Sequence, residues 1–458
     1  MRKFTRCWGA VIALLAAGTV AAGPLITERV NVNPSTGVQA DGASSLPVLS
    51  ADGCVVAFVS QSGTLAPASY GLTKNSPAQV YAVNRCVTPH TLELVSVTNN
   101  GSAAADAICS APNISADGRY VAFFTAATNL PVPGSGQSSG PALLYVRDRT
   151  AQATLSPLEA WRPTTQNNGA VGYHTTTTLR YMSADGSRFA FDFRSPPAVE
   201  QNLYVLNFSG GVSTLQAICP ADINCLAGTS DDMTISPDGS KVLLQSTYAF
   251  APGGGTGSDY YNVYSYDVAT ATSTVVSVTG SGMPPNQSVQ PLSDIALSGD
   301  GNVAAFSSGT ATNFPGNTAD TLLLKNMTSG AVTLISAMSD GTPVTIGYGI
   351  ALPQLSADGN RLAFTAESQL VPHNNQVGKD TVVADLSLGR LGSACISASG
   401  SYGRFGCDGV TISADGKWAA FRSVSDNLVP NDTNTEPDIF VVALDPAVNV
   451  VFADGFEP

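Results

Sequence analysis

A short pattern, Ser-x-Asp-Gly, recurs along this 458-residue chain and constrains its fold more than any other feature. The spacings between successive aspartates are 65, 68, 53, 62, 58 and 57 residues. A period of this size indicates an array of similar structural units. The seven copies read "LSADGCVVAFVS" (49–60), "ISADGRYVAFFT" (114–125), "MSADGSRFAFDF" (182–193), "ISPDGSKVLLQS" (235–246), "LSGDGNVAAFSS" (297–308), "LSADGNRLAFTA" (355–366) and "ISADGKWAAFRS" (412–423).

Each position of the pattern suits the tip of a β-hairpin. Glycine accepts a positive φ without steric cost, and aspartate bonds to nearby backbone amides. The pattern therefore predicts a type I turn whose last residue is left-handed, and Pro237 fits the second position of such a turn. The predicted turn residues are Asp52, Gly53, Asp117, Gly118, Asp185, Gly186, Asp238, Gly239, Asp300, Gly301, Asp358, Gly359, Asp415 and Gly416.

The strand after each turn is apolar on both faces. Six copies carry an Ala-Phe pair there, and the fourth carries Leu243 and Leu244. Consecutive apolar residues predict a strand that is covered on both sides by other sheets. Two further strand signals follow most turns, so each unit holds four antiparallel strands. Such units predict an all-β fold, a seven-bladed β-propeller of four-stranded antiparallel blades.

The ends of the propeller must pair for the ring to close. The segment "ITERVNV" (26–32) precedes the first turn and resembles the fourth strands of the other units, whereas the seventh unit lacks a clear fourth strand. We therefore predict a ring closed by this N-terminal strand, because closure removes exposed sheet edges. The competing candidate is "VNVVF" (448–452). The expected propeller domain is 23–446, followed by a C-terminal tail, 447–458.

Residues 1–22 have the features of a secretory signal peptide. Arg2, Lys3 and Arg6 precede a short apolar stretch that ends in small residues, and an uncleaved anchor is the alternative. We expect a periplasmic or secreted protein with no stable membrane insertion after cleavage. Cleavage leaves 18 basic residues against 34 acidic ones, a net charge of about −16. Such a surface repels nucleic acid, so no nucleic-acid partner is expected.

The cysteines suggest structural disulfides in an oxidising compartment. Cys54 and Cys86 lie at opposite ends of a predicted hairpin, and two other pairs are close in sequence. The spacings do not match C-x-x-C zinc sites, although sequence alone leaves the connectivity open. The disulfide candidates are Cys54, Cys86, Cys219, Cys225, Cys395 and Cys407, with Cys109 left over.

The turn pattern and the following Ala-Phe strand resemble the WD40-like PD40 repeat. This repeat occurs in TolB and in the propellers of prolyl oligopeptidase relatives. The stretch "NLVPNDTNTEPDIFVV" (427–442) is similar to the linkers of this repeat class. The resemblance implies a binding scaffold and supplies no catalytic residues at matching positions. TolB adds an α/β domain and the oligopeptidases add a hydrolase domain, neither of which is expected in this chain.

Candidate chemical motifs are weak. The histidines His90, His174 and His373 belong to different units, and Ser138 matches a nucleophile elbow only within a flexible loop. The segment "NDTNTEPD" (431–438) offers oxygen ligands suited to calcium but lacks the glycine and closing glutamate of an EF-hand loop. We therefore predict no catalytic residue, no metal site and no cofactor, with calcium as the alternative.

These observations favour a non-enzymatic exported scaffold. We expect a monomer that binds an unknown protein, peptide or glycan at a rim or in the central channel, and 157–180 is a candidate rim loop. The alternative is an exported polysaccharide hydrolase or lyase that uses carboxylates in the channel. Two or more buried carboxylates facing one cleft would favour the enzyme. The tail "VFADGFEP" (451–458) is either a sorting address or a frayed end.

Overall fold

The structure is a computed structural model of the chain. It describes residues 27–130, 143–157, 180–195, 200–209, 212–218, 233–247, 250–251, 261–279, 282, 295–308, 314, 321–337, 344, 352–367, 370–371 and 378–444. The predicted signal peptide, Cys219, Cys225, the segment 448–452 and the C-terminal tail lie outside the described residues.

The described residues form 27 short strands and one 3₁₀ turn at Ala68–Tyr70. In chain order the strands are β1 (Thr27–Arg29), β2 (Ser44–Leu49), β3 (Val55–Ser60), β4 (Gln79–Asn84), β5 (Thr91–Leu94), β6 (Cys109–Ile114), β7 (Tyr120–Thr125), β8 (Leu143–Asp148), β9 (Ala153–Leu155), β10 (Arg188–Ser195), β11 (Glu200–Ser209), β12 (Val212–Ala217), β13 (Met233–Ile235), β14 (Lys241–Ser246), β15 (Asn262–Asp267), β16 (Thr272–Val275), β17 (Ile295–Leu297), β18 (Val303–Ser308), β19 (Thr321–Asn326), β20 (Val332–Leu334), β21 (Gln354–Leu355), β22 (Arg361–Glu367), β23 (Lys379–Asp385), β24 (Arg390–Ser393), β25 (Cys407–Ile412), β26 (Trp418–Ser423) and β27 (Asp438–Ala443).

The strands pair into seven antiparallel sheets, which are the blades of the predicted propeller. Blades 1 to 6 are β2–β5, β6–β9, β10–β12, β13–β16, β17–β20 and β21–β24, and blade 7 contains β25–β27 with β1. In blade 3 the innermost strand is reduced to a single bridge between Met182 and Phe189. The predicted fold class is therefore confirmed. No helix in the described part of the chain is long and apolar enough to cross a membrane.

The N-terminal strand closes the ring, as predicted. Thr27 pairs with Val442 and Arg29 pairs with Phe440, so β1 becomes the outermost strand of blade 7. The Asn31 side chain extends this closure, because its Nδ2 donates to Asp438 at 2.6 Å and its Oδ1 accepts from the Ile439 amide at 3.1 Å. The first and last parts of the chain are thus joined by both backbone and side-chain hydrogen bonds.

The Ser-x-Asp-Gly turns share one hydrogen-bond pattern. In blade 1, Ser50 Oγ donates to Asp52 Oδ1 at 2.7 Å, and the same oxygen accepts from the Cys54 amide at 2.9 Å. The Val55 amide donates back to Ser50 Oγ at 2.8 Å. Glycine is required at the last turn position, where φ lies between 66° and 72° in all seven blades.

The seven turns are also joined to one another, in what we name the turn ring. It comprises the second residues of the turns, Ala51, Ala116, Ala184, Pro237, Gly299, Ala357 and Ala414. The amide of one turn donates to the carbonyl of the next, as from Ala116 to Ala184 at 2.6 Å. Pro237 has no amide proton, so Asp238 donates to Gly299 at 3.4 Å instead. Asp415 donates to Ala51 at 3.1 Å and completes the circuit.

Successive side chains of the second strand of each blade point to opposite faces, so they pack against different neighbouring blades. Val56 and Phe58 of β3 pack with residues of blade 7, including Ala420. Ala57 of the same strand packs instead with residues of blade 2, including Phe123. Ala57 and Phe58 are both 0% exposed, which confirms that both faces of this strand are covered. The Ala-Phe pair therefore contributes one residue to each of two neighbouring interfaces.

Candidate functional site

A cavity lies among the innermost strands of the propeller. We call its lining the channel wall: residues 46–49 of blade 1, 112–114 of blade 2, Arg180 before blade 3, 352 and 354 of blade 6, and 409–411 of blade 7. The cavity holds about 590 Å³, counting space that opens to solvent. Ligands commonly bind in such concave sites, and the channel wall is therefore the candidate functional site.

The innermost strands of three blades share the same irregularity, a shift in the pairing register. A change of register interrupts β2 between Ser45 and Val48, β6 between Ser110 and Asn113, and β25 between Asp408 and Thr411. Bulges of this kind redirect side chains and are common beside functional sites.

Positive φ values mark the same places. The residue four positions before the turn serine has a φ of 54° at Leu46, 47° at Ala111, 40° at Leu352 and 63° at Gly409. A positive φ is unfavourable for leucine and alanine, and such residues cluster where function requires a particular backbone shape. Because three non-glycine residues adopt this conformation at one repeated position, the surrounding structure must hold the backbone of the wall in this shape.

Most side chains of the wall are apolar, but polar atoms supply at least half of its accessible surface. Leu46, Val48 and Val410 supply apolar surface, and Gln354 and Thr411 supply neutral hydrogen-bonding groups. Such a mixed wall suits the recognition of an organic ligand that has both apolar and polar parts.

Asn113 has a structural task on the wall. Its Oδ1 accepts from the Tyr181 amide at 3.0 Å, and its Nδ2 donates to the Pro112 carbonyl at 3.0 Å. Tyr181 in turn donates its hydroxyl proton to the Ala111 carbonyl at 2.6 Å. These bonds hold the bulge of β6 against blade 3, next to Arg180.

Arg180 carries the positive charge of the channel wall. Its backbone carbonyl is fixed by blade 4, because it accepts from the Ile235 amide and from Thr234 Oγ1, both at 2.9 Å. Burial lowers the pKa of the Arg180 guanidinium below its ordinary value. The residue is nevertheless partly exposed, so its charge is accessible to an anionic group in the cavity.

Carboxylates are not part of the channel wall within the described ranges. The acidic residues of the candidate calcium segment lie elsewhere and face protein cations. Asp432 and Asp438 approach Arg29 at 3.0 and 3.3 Å, and Glu436 approaches Lys74 at 2.7 Å. Among the described side chains, no three His, Cys, Asp or Glu groups are placed to hold a metal ion.

The closure of blade 7 has a perturbed carboxyl group. Asp438 is 0% exposed, and burial raises its pKa to about 6. Hydrogen bonds from Asn31 and the Arg29 charge act in the opposite direction but do not cancel the burial. Burial also raises the pKa of Asp432. These carboxyl groups lie beside Arg29 where β1 joins blade 7, and burial disfavours their charged forms.

The other sequence candidates are distributed around the blades. Disulfides join Cys54 to Cys86 and Cys395 to Cys407, while Cys109 is a buried free thiol whose pKa burial raises to about 11. His90 Nδ1 lies 3.2 Å from the Glu28 carboxylate. His174, His373, Ser138 and most of 157–180 lie outside the described residues.

The sequence analysis named the central channel but none of the residues of the channel wall. One sequence signal for these residues is a proline three positions before the turn serine, at Pro47, Pro112 and Pro353. Proline lacks an amide proton and is confined to edge strands or bulges of a sheet. Its recurrence beside the turn could have identified the bulged inner strands.

No family model matches this chain, and no curated protein sequence matches it either. Similar solved structures do exist. A structure from a study of two prolyl endopeptidases aligns with a TM-score of 0.50 at 14% identity, over 91% of this chain and 48% of that one. The propeller domain of the trilobed protease from Pyrococcus furiosus aligns at 0.49 and 10% identity, over 91% and 99% of the two chains.

Dipeptidyl peptidase 4 of Porphyromonas gingivalis aligns with a TM-score of 0.48 at 12% identity, over 93% of this chain and 54% of that one. The chain thus spans about half the length of this peptidase and of the prolyl endopeptidase. At these identities the likeness concerns the propeller fold. The fold and the cavity together define a seven-bladed β-propeller with a candidate ligand site in its channel.

Proposed function

We propose that this chain is an exported, PD40-type propeller that binds a protein segment, peptide or glycan in its central channel without transforming it. The observation that carries this proposal is the channel wall, where four inner strands hold a left-handed residue at the same repeated position. Strained backbone of this kind persists where the surroundings specify it, and it clusters at binding sites. In the Ser-x-Asp-Gly turns beside it only glycines have a positive φ, and the other described non-glycine residues with a positive φ, Gln152, Ala271 and Asn431, lie outside the inner strands.

The chemistry of the wall supports binding more than hydrolysis. General acid–base cleavage of a glycosidic bond needs two carboxyl groups that flank the bond. The wall residues in the described ranges supply apolar surface, amides, a hydroxyl and one guanidinium instead. The two disulfides and the net charge of −13 suit an exported protein, which is part of the same proposal.

A blocking variant tests the proposed site. Ligands for the wild-type protein are selected from a random-peptide display library and a glycan array, and their dissociation constants are measured. Gln354→Trp fills the cavity from blade 6, so we expect it to weaken binding by about tenfold or more. Leu388→Trp, on an exposed turn of the same blade, is the matched control and leaves affinity unchanged.

Equal affinities for Gln354→Trp and the wild-type protein would place binding outside the channel and overturn the proposal. Release of new reducing ends from a polysaccharide on the array, in proportion to protein concentration, would instead support the hydrolase or lyase.

A further inference from the structure

Arg180 is partly exposed at the cavity, unlike the buried cations Arg147 and Lys325. The pKa of Arg147 and the pKa of Lys325 are also lowered by burial, yet each side chain has acceptors. Arg147 donates to Thr154 Oγ1 at 3.1 Å and to Gln152 Oε1 at 2.8 Å. Lys325 donates to the Val278 carbonyl at 2.9 Å. Within the described residues, the Arg180 guanidinium has neither a hydrogen-bond acceptor nor an ion-pair partner.

Arg180 is partly exposed and borders the cavity, so a bound molecule can reach it. A guanidinium presents five donors in a fixed fork. An acceptor on a ligand can therefore bind at this position.

The surroundings of Arg180 limit the kind of anion that fits. The wall that includes Arg180 also contains apolar residues such as Pro112, Ile114 and Val410, and the whole chain carries a net charge of −13. A polyanion would be repelled by this charge and would gain little from apolar walls. A single carboxylate on an apolar body matches both features, and arginine binds carboxylates through two parallel hydrogen bonds.

We propose that the channel wall binds the carboxylate of an otherwise apolar ligand, with Arg180 as the group that pairs with the carboxylate. This proposal rests on the proposed channel binding and specifies its ligand class. The same chemistry is offered by the C-terminus of an apolar peptide and by a free aliphatic acid. The apolar body would contact the Leu46 and Val410 side of the cavity.

Calorimetric titration with paired probes tests the carboxylate. One pair of probes is N-acetyl-trileucine and its neutral C-terminal amide, which represent a peptide C-terminus. The other pair is decanoate and neutral decanol, which represent a free aliphatic acid. We expect at least one acid to bind the wild-type protein about tenfold more tightly than its neutral partner, because a charge-assisted pair is lost in the latter. The pair of probes that shows this preference identifies the carboxylate as that of a peptide C-terminus or of a free acid.

Arg180→Met is expected to remove the preference for the acid. Arg119→Met, which changes an exposed arginine paired with Asp148, retains it. Equal binding of acid and neutral probe, or no binding of either acid, would overturn the carboxylate assignment. If acid and neutral probe bind the wild-type protein equally and both lose affinity for Gln354→Trp, channel binding stands while the carboxylate assignment fails.

A measurement without ligand tests whether Arg180 is free to pair with a ligand. Arg180→Met should change the melting temperature little, because a partly exposed guanidinium with no acceptor among the described residues contributes little to stability. Arg147→Met, which leaves the Thr154 and Gln152 acceptors without a donor, should lower it. A fall for Arg180→Met as large as that for Arg147→Met would show that the chain itself pairs with Arg180, and would contradict the proposal.

Discussion

The turn ring and the channel wall are adjacent segments of the same inner strands, yet they are built differently. In the ring, every turn has the same serine–aspartate bond and a glycine with φ between 66° and 72°. In the wall, blades 1, 2 and 7 have bulges, and Arg180 supplies a partly exposed charge before blade 3. The sequence repeat is strict in the ring and variable in the wall.

This difference separates what supports the fold from what recognises a ligand. Each turn glycine packs against the first residue of the preceding blade's second strand, as Gly53 packs against Trp418. Variation there would open the ring. Variation in the wall changes only the surface that a ligand meets, so the two regions should respond to substitution in opposite ways.

Gly53→Ala should produce the largest loss of stability. A Cβ atom at this position would lie 2.4 Å from a Trp418 ring carbon and 2.9 Å from its Cβ, in addition to the cost of φ at +71°. We expect the free energy of unfolding to fall by about 3 kcal/mol, measured by chemical denaturation. Gly37→Ala is the matched control, since Gly37 has the same φ with no atom within 4 Å, and should lose about 1 kcal/mol. Equal losses would show that the contact between blades 7 and 1 does not matter.

Gly299→Ala should give the next largest effect, although alanine occupies this position in five other blades. Its Cβ atom would lie 2.6 Å from the Ala357 carbonyl oxygen, which accepts the ring hydrogen bond from Gly299 at 2.8 Å. We expect a loss of about 2 kcal/mol in the free energy of unfolding.

Adding Ala357→Gly should recover only a little of this loss, because the carbonyl oxygen and the Cα atom remain in place. Full recovery would attribute the clash to the side chain and not to the close approach of the two turns.

Protonation of Asp438 should stabilise the ring closure. Its pKa is raised to about 6 in the folded protein, so the folded state binds the proton more tightly than the unfolded chain does. The resulting stability is complete below the unfolded pKa of 3.8 and is lost as the pH rises through about 6. Between pH 5 and pH 7 the unfolding free energy should fall by about 1 kcal/mol from this group.

Asp438→Asn should flatten this pH dependence, whereas Asp426→Asn, at a more exposed carboxyl, should preserve it. Binding in the channel should change little in either variant, because Asp438 belongs to the closure. A profile for Asp438→Asn that matches the wild-type profile would contradict the assignment.

Pro237→Ala should have the smallest effect. It restores an amide donor that the ring lacks, but it also removes the rigidity that proline gives the unfolded chain. The two contributions are of similar size, so the unfolding free energy should change by no more than about 0.5 kcal/mol. A gain of several times this value would show that the hydrogen bonds of the ring contribute more than packing.

The repeated elements of the fold could be predicted from the sequence because the same residues satisfy both the local backbone conformation and the packing between blades. A Ser-x-Asp-Gly turn specifies its own conformation, and the Ala-Phe pair reports burial on both faces. The pairing of "ITERVNV" with the last blade followed from the missing fourth strand. Both disulfides within the described residues join expected pairs. Cys54 and Cys86 were expected from the ends of a predicted hairpin, and Cys395 and Cys407 from their closeness in sequence.

The candidate site could not be predicted in the same way. Arg180 stands in "TLRYMSADG", which reads as an ordinary strand before a turn. It lies just before the inner strand of blade 3, which is reduced to the single bridge between Met182 and Phe189. That reduction has no local sequence signal. Segment 431–438 shows that closeness in sequence does not specify what a carboxylate binds, since Asp432 and Asp438 both contact the cation Arg29.

Hydrogen–deuterium exchange with a selected ligand tests the central claim most directly, namely that the channel wall binds and the turn ring supports. The account predicts slower exchange on ligand addition in peptides that cover the bulges at 44–49, 109–114 and 407–412. Peptides that cover the outer strands β5, β9 and β16 should be unchanged. Protection confined to those outer strands, with no change at the bulges, would contradict the account.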